Sequence, residues 1–197
     1  MGVETTILAA LMGLSLASAS GFRVFLPPFI LSLAVRTDTF VNFDLSGTEF
    51  AAFDCNAAVL IIGLACLAVF GAYYVPWLDN LLDTIATPAA VVSGVGMTSM
   101  ALVGSDPIIQ WSFAIIAGGG SAGIIQVTTV AIRGLSSTLT LGFGNSFVAS
   151  GENIASIVLT FAALIAPLIA AIFAVLLVVL LIRQSIKVTA EKSTQGA

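Results

Sequence analysis

LAALMGLSLASASGFRVFLPPFILSLAV, Leu8 to Val35, decides the fold class. It is a long apolar run with one charge, Arg23, and a Pro27-Pro28 pair just beyond it. A membrane helix needs ~20 predominantly apolar residues to cross ~30 Å of hydrocarbon. This run starts near Thr5, is too long for one straight span and is broken in its middle, where adjacent prolines remove two backbone donors.

The rest of the chain agrees. Of its 197 residues, 59% are apolar and 8% charged, against about 45–50% and about 25% in an average soluble domain. Mean hydropathy is +1.15. So little charge cannot cover a water-soluble globule, and disordered chains are polar. Six basic residues against ten acidic, a net charge of −4, exclude nucleic acid as a partner. The partner this composition names is the lipid bilayer.

Further apolar runs cover Ala57–Tyr74, Leu81–Val103, Ile108–Ile132 and Ile154–Ile182. The expectation is an all-α polytopic transmembrane bundle of about five spans with broken helices. Four or six remain open, six if Pro167 splits the last run or the first folds back at its prolines. Residues 1–197 form one membrane domain, with 185–197 a polar C-terminal tail. LASASG resembles a signal-peptide cleavage site, but Glu4 precedes it without any Lys or Arg, so the segment reads as a retained span. Arg183, Lys187 and Lys192 after the last span place the C-terminus in the cytoplasm. Five spans then put the N-terminus outside and the acidic loop 37–55 inside.

There is no histidine, which removes the commonest general base and metal ligand. Cys55 and Cys66 are separated by ~16 Å if helical, too far for a disulfide. No metal, cofactor or catalytic residue is expected.

Ser20–Arg36 and Ala117–Arg133 echo each other: a glycine, an apolar stretch, then arginine. Separated by three spans, they suggest an inverted repeat with halves 1–103 and 104–184. The alternative is resemblance by composition. LDTIA (Leu82–Ala86) and GENIA (Gly151–Ala155) form a second echo that does not fit inversion.

Arg23 follows Gly21 and precedes Pro27-Pro28. A lone Arg within the bilayer must face a cavity or a partner, and broken helices are tolerated there only under cover. It is either a substrate or ion site at the break, or a snorkelling or structurally paired side chain. In PWLDNLLDTIATP (Pro76–Pro88), Asp79 and Asp83 lie a turn apart on one face, with Asn80 beside them. Asp79 would cap its helix. Asp83, a turn further in, is the candidate functional carboxylate and partner of Arg23.

Leu135–Asn153 is too polar and glycine-rich for a span and reads as a re-entrant or loosely packed segment. Asn145, Ser146 and Ser150 supply its polar groups, and Glu152 reads first as an acid favoured at a helix N-terminus, second as a site residue. Gly118-Gly119-Gly120 either packs closely against a neighbour or unwinds toward an anion. Trp77, Trp111, Tyr73 and Tyr74 fall at span ends, as an aromatic belt does.

GFRVFLP, PWLDNLLDTIATP, IIAGGGSAG, GFGN and GEN, in that order, resemble the bacterial integral membrane family called domain of unknown function 4126. The resemblance implies a small multi-pass protein of the bacterial inner membrane, and no mechanism. The family's recurrent polar residues fall here on Arg23, Asp79, Asp83, Asn145 and Glu152. Three functions follow. One is a small transporter or channel-like protein, expected as a homodimer, for a small anion or zwitterion. The second is a membrane scaffold or assembly factor with a structural Arg–Asp pair. A lipid-modifying enzyme comes last, since no nucleophile–base pair is visible.

Overall fold

The computed structural model of the chain describes residues 2–37, 45–72, 76–140 and 143–195, without the side chains of 76–83, 185 and 187–195. Helix α1 is Val3–Phe22 and α2 is Leu26–Arg36; a short 3-10 turn, Ala51–Asp54, leads into α3, Asn56–Ala72. Then come α4, Pro76–Ala101, and α5, Pro107–Phe113. A π-helical turn, Ala114–Gly119, runs on into α6, Gly120–Thr140. The last two are α7, Asn145–Ile165, and α8, Pro167–Gln195. No strand occurs among the described residues.

Among the described residues, five segments are long and apolar enough to cross a membrane: Val3–Phe22, Thr84–Ala101, Pro107–Thr140, Asn145–Ile165 and Pro167–Gln184. This is a multi-pass membrane protein. The span count matches the sequence expectation, but the membership differs. Ala57–Tyr74, expected to cross, falls on α3, which at 17 residues is about 26 Å long. The run Ile154–Ile182, expected as one span, is two. Pro167 has no N–H to continue α7 and forces the residue before it out of the helical region. Ala166 accordingly sits at φ −141°, ψ 68°.

Helix α1 is the centre, packed by α4, α6, α7 and α8. Its Ala/Ser/Gly content lets neighbours approach closely, as membrane helices require in place of a hydrophobic drive. Thr98 Oγ1 donates to Gly13 O at 3.1 Å, and Ser93 Oγ to Ser20 Oγ at 3.2 Å and Val24 O at 3.0 Å. These pairings make α4 antiparallel to α1. Ser156 Oγ donates to Ala19 O at 3.0 Å, which holds α7 against α1. Helices α2 and α3 form an antiparallel hairpin. Arg36 Nε donates to Asn56 Oδ1 at 2.9 Å near its tip, and Phe29 lies on Gly63 further in.

The glycine run does not unwind. A Cβ on Gly118 would fall against Thr98 Oγ1 and 2.7 Å from Gly94 O, and one on Gly119 3.0 Å from Val95. Both glycines pack on α4, while Gly120 meets no neighbour. The helix break expected at Gly118-Gly119-Gly120 is therefore replaced by a π turn in a continuous helix. That turn has a geometric reason. Gln110 and Gly118 are both buried and eight positions apart. At about 100° per residue an unbroken α-helix would put them about 80° out of phase, and one extra residue in the π turn cuts this to about 20°. Gln110 then reaches Ser99, donating to its O and Oγ, each at 3.0 Å.

The proposed internal repeat has no counterpart in this fold. Ser20–Arg36 contains the α1–α2 break, whereas Ala117–Arg133 is unbroken helix. Val91 faces Gly123 while Thr98 faces Gly118, so α6 is antiparallel to α4 and parallel to α1. Inversion requires the opposite.

The α4–α6 contact is testable. A Cβ on Gly94 would lie 2.6 Å from Ala122 Cβ and 2.7 Å from Gly118 O. Gly94→Ala is expected to cost ~1–3 kcal/mol by overpacking. Gly120→Ala, into open space, is expected to stabilise by ~0.5–1 kcal/mol. Thermal unfolding in detergent reads both; equal effects would refute the close contact.

Candidate functional site

The break at Arg23 comes from the prolines. A continuous α1 would drive the Pro27 and Pro28 rings into the carbonyls of Arg23 and Val24. They sit instead in the first turn of α2, where their missing N–H groups are not needed. Arg23 is left extended, at φ −142°, ψ 107°. The exposed backbone is satisfied from neighbours: Val24 O by Ser93 and Ala19 O by Ser156. Gly21, just before, brings α1 onto α6, since a Cβ there would be 2.7 Å from Ala122 O and 2.8 Å from Ile125 Cβ.

Among the described residues, three charged side chains meet here. Arg23 Nη2 lies 3.1 Å from Glu152 Oε2 and donates to Ala149 O at 2.9 Å. Arg133 Nε lies 3.2 Å from Glu152 Oε1. Relative exposures are 3%, 1% and 5% for Arg23, Arg133 and Glu152. One carboxylate thus bridges two guanidiniums and ties α1, α6 and α7 together inside the bundle. Charges at this depth persist only when paired.

Glu152 is not an N-terminal acid. Helix α7 begins at Asn145, two turns earlier, so the segment expected to be re-entrant divides between the end of α6, which runs to Thr140, and the opening of α7. Of the polar residues that suggested a loop, Asn145 is buried and Ser146 and Ser150 are half-buried; the inward face of α7 continues through Glu152, Asn153, Ser156 and Thr160, all buried. In a bilayer the polar face turns inward, and Ile154, Val158 and Phe161 are exposed. Asn145 Nδ2 donates to Ser137 Oγ at 2.8 Å, pinning the α6–α7 joint about two turns from Glu152.

Arg23 and Glu152 meet in an ion pair, and Asn145 is buried about two turns before Glu152 on α7. Arg23 was expected to pair with Asp83, which lies outside the residues whose side chains are described; among the described residues its ion pair is with Glu152. Asp79, Asn80 and Asp83 stand in the first turns of α4, and their side chains lie outside the described residues. Arg133 was missed, having been read as the flank of a span. Its signal was the spacing of Gln126, Thr129 and Arg133, three polar residues on one helical face, all buried.

Two buried polar atoms complete the cluster. Gln126 Nε2 and Asn153 Oδ1 have no hydrogen-bond partner among the described residues, at residue exposures of 1% and 8%. Gln126 stands two turns before Arg133 on α6, and Asn153 follows Glu152 on α7. No group of three or more potential metal ligands occurs among the described residues.

The chain belongs to the family of the Domain of unknown function (DUF4126), whose model matches residues 10–187. That span contains Arg23, Arg133 and Glu152. No curated protein and no solved structure matches the chain.

Glu152 is the carboxylate that both Arg23 and Arg133 face, at 3.1 and 3.2 Å. Glu152→Gln is expected to cost ~3–5 kcal/mol in detergent unfolding. Adding Arg133→Gln should cost less than the sum of the two single changes, because they share one interaction. Strict additivity would show that the 3.2 Å pair carries no energy.

Proposed function

We propose that this protein is a small transporter or channel-like protein whose polar path passes the Arg23–Glu152–Arg133 cluster. The observation that supports it most is that the buried Gln126 amide donor and Asn153 carbonyl acceptor, on the helices that carry Arg133 and Glu152, have no hydrogen-bond partner among the described residues. Leaving such groups dry and unpaired costs ~1–3 kcal/mol each. A membrane protein avoids that cost where water or a passing solute supplies the missing partners. Two guanidiniums on adjoining helices favour a small anion or zwitterion, since a guanidinium matches carboxylate and phosphate geometry. The reading assigns no catalytic step and takes a homodimer as the working unit. It places the C-terminus in the cytoplasm, with Arg183, Lys187 and Lys192.

A second reading has its own observation. The same three side chains join α1, α6 and α7 and are almost wholly enclosed. A scaffold or assembly factor would use them to fix helix register, a role buried polar groups fill in some proteins.

Water access separates the two. Single cysteines would replace Phe22, Val24, Gln126 and Asn153 in a background lacking Cys55 and Cys66. Intact membranes would then be treated with a small aqueous thiol reagent. The transporter reading expects labelling at Gln126→Cys and Asn153→Cys at a rate approaching loop controls at Gly47 and Ser105. If the controls react and these positions stay inert, the path is absent and the scaffold reading replaces it.

A further inference from the structure

Three contacts fix the depth of the Gln126 and Asn153 amides in the bundle. A Cβ on Gly21 would fall 2.8 Å from Ile125 Cβ, so Gln126, the next residue of α6, stands at the depth of the α1 end. Ser156 donates to Ala19 O and Glu152 pairs with Arg23, so Asn153 stands between those two contacts on α7. Both amides therefore lie within about one helical turn, ~5 Å, of the level of Arg23. Their residues are 1% and 8% exposed, and Gln126 Nε2 and Asn153 Oδ1 have no hydrogen-bond partner among the described residues.

The charge at this level is positive. Arg23 and Arg133 face one carboxylate, Glu152. Two positive charges and one negative leave one net positive charge among the described side chains of the cluster. Helix α2 starts at Leu26, three residues beyond Arg23, and adds the positive end of its dipole. A charge at membrane depth calls for a partner.

The two amides restrict what that partner can be. Nε2 needs an acceptor and Oδ1 needs a donor. A bare anion such as chloride or nitrate answers the first and not the second. An amino acid zwitterion answers both, but brings an ammonium beside two guanidiniums whose carboxylate is already engaged. A dianion exceeds the net charge. An oxyanion of one negative charge with a hydroxyl of its own meets every demand. The enclosure of Arg23, Arg133, Glu152, Gln126 and Asn153, none more than 8% exposed, keeps it small.

We propose that the cluster binds a small hydroxyl-bearing monoanion, the chemistry that bicarbonate and dihydrogen phosphate share. Its charged oxygen accepts from Gln126 Nε2 and its hydroxyl donates to Asn153 Oδ1, while the two guanidiniums supply the surrounding positive charge. This selectivity rests on the anion path proposed above and adds what the path admits.

The test follows thermal unfolding of the full chain in detergent, at constant ionic strength made up with methanesulfonate. Bicarbonate is added in mildly alkaline buffer and dihydrogen phosphate in mildly acidic buffer, each against nitrate. Nitrate is planar, singly charged and close to bicarbonate in size, with no hydroxyl. A ligand of the folded state raises the midpoint with concentration. Bicarbonate or dihydrogen phosphate should act at concentrations at least about tenfold lower than nitrate, because nitrate leaves the buried Asn153 Oδ1 unpaired. Asn153→Leu, close in size and without the acceptor, should abolish that preference, and Asn153→Ala serves if the leucine variant fails to fold. Which of the two oxyanions acts names the source. An equal response to nitrate, or a preference that survives the loss of Asn153, overturns the proposal and leaves an anion path that does not read the hydroxyl. No response to any anion also overturns it, and the path itself then stands or falls on the cysteine labelling at Gln126 and Asn153.

Discussion

One carboxylate holds this structure to its shape. Glu152 faces two guanidiniums from two other helices, at 3.1 and 3.2 Å, and all three side chains are almost wholly enclosed. In a soluble protein such a triad could be exchanged for packed hydrocarbon at little loss. In a bilayer the alternative for each arginine is hydrocarbon itself, costing at least ~2.5–3.5 kcal/mol at a helix centre. The triad therefore fixes which face of α6 and α7 looks inward, and the remaining polar residues follow. Gln126 and Thr129 share the face of Arg133, and Ser156 and Thr160 the face of Glu152. The apolar residues are left to the lipid.

Close packing supplies the second constraint. Without a hydrophobic force between helices, association depends on contact and hydrogen bonds. Gly13, Gly21, Gly94 and Gly118 each lie where a Cβ would collide with a neighbouring helix. Thr98, Ser93 and Ser156 then donate across the gaps to backbone or hydroxyl oxygens. The π turn belongs to this scheme, since it restores the phase between a polar contact at Gln110 and a glycine contact at Gly118.

The sequence made the membrane class legible because composition alone excludes the alternatives. The α1–α2 break was equally plain, since two adjacent prolines admit one outcome. Pro167 had the same power, but an apolar stretch long enough for a single tilted span hid the turn it makes. The opening of α7 was misread because polarity was equated with exposure to water. That equation fails when a helix turns its polar face toward its neighbours. Glu152 was named and its depth misjudged for the same reason. Arg133 shows a different limit. A single arginine at the end of an apolar run looks the same whether it reaches the headgroups or turns inward, and its partner is on a helix whose start was misplaced. Hydrocarbon cavities such as the cleft of about 550 Å³ between α4 and the α2–α3 hairpin leave no trace in the residue types at all, because Ile, Val, Ala and Gly line packed and open surfaces alike.

The α1–α2 break joins the two halves of this chemistry. Within three residues the backbone sends Arg23 toward Glu152 and turns Val24 and Phe25 to the apolar cleft. Ser93 spans the gap, bonding Ser20 before the break and Val24 after it. A straight α1 could not do this, since at about 100° per residue its side chains would continue around one axis. Breaking the helix frees the two faces from that rule, and the prolines make the break permanent. The position of Pro27-Pro28 thus sets the geometry of both the polar cluster and the cleft wall, although neither proline touches a charged group. A change that moved the break by one residue would rotate Arg23 by about 100° about α1, away from Glu152. Ser93, bonded to Ser20 before the break and to Val24 after it, holds the two sides of the break together.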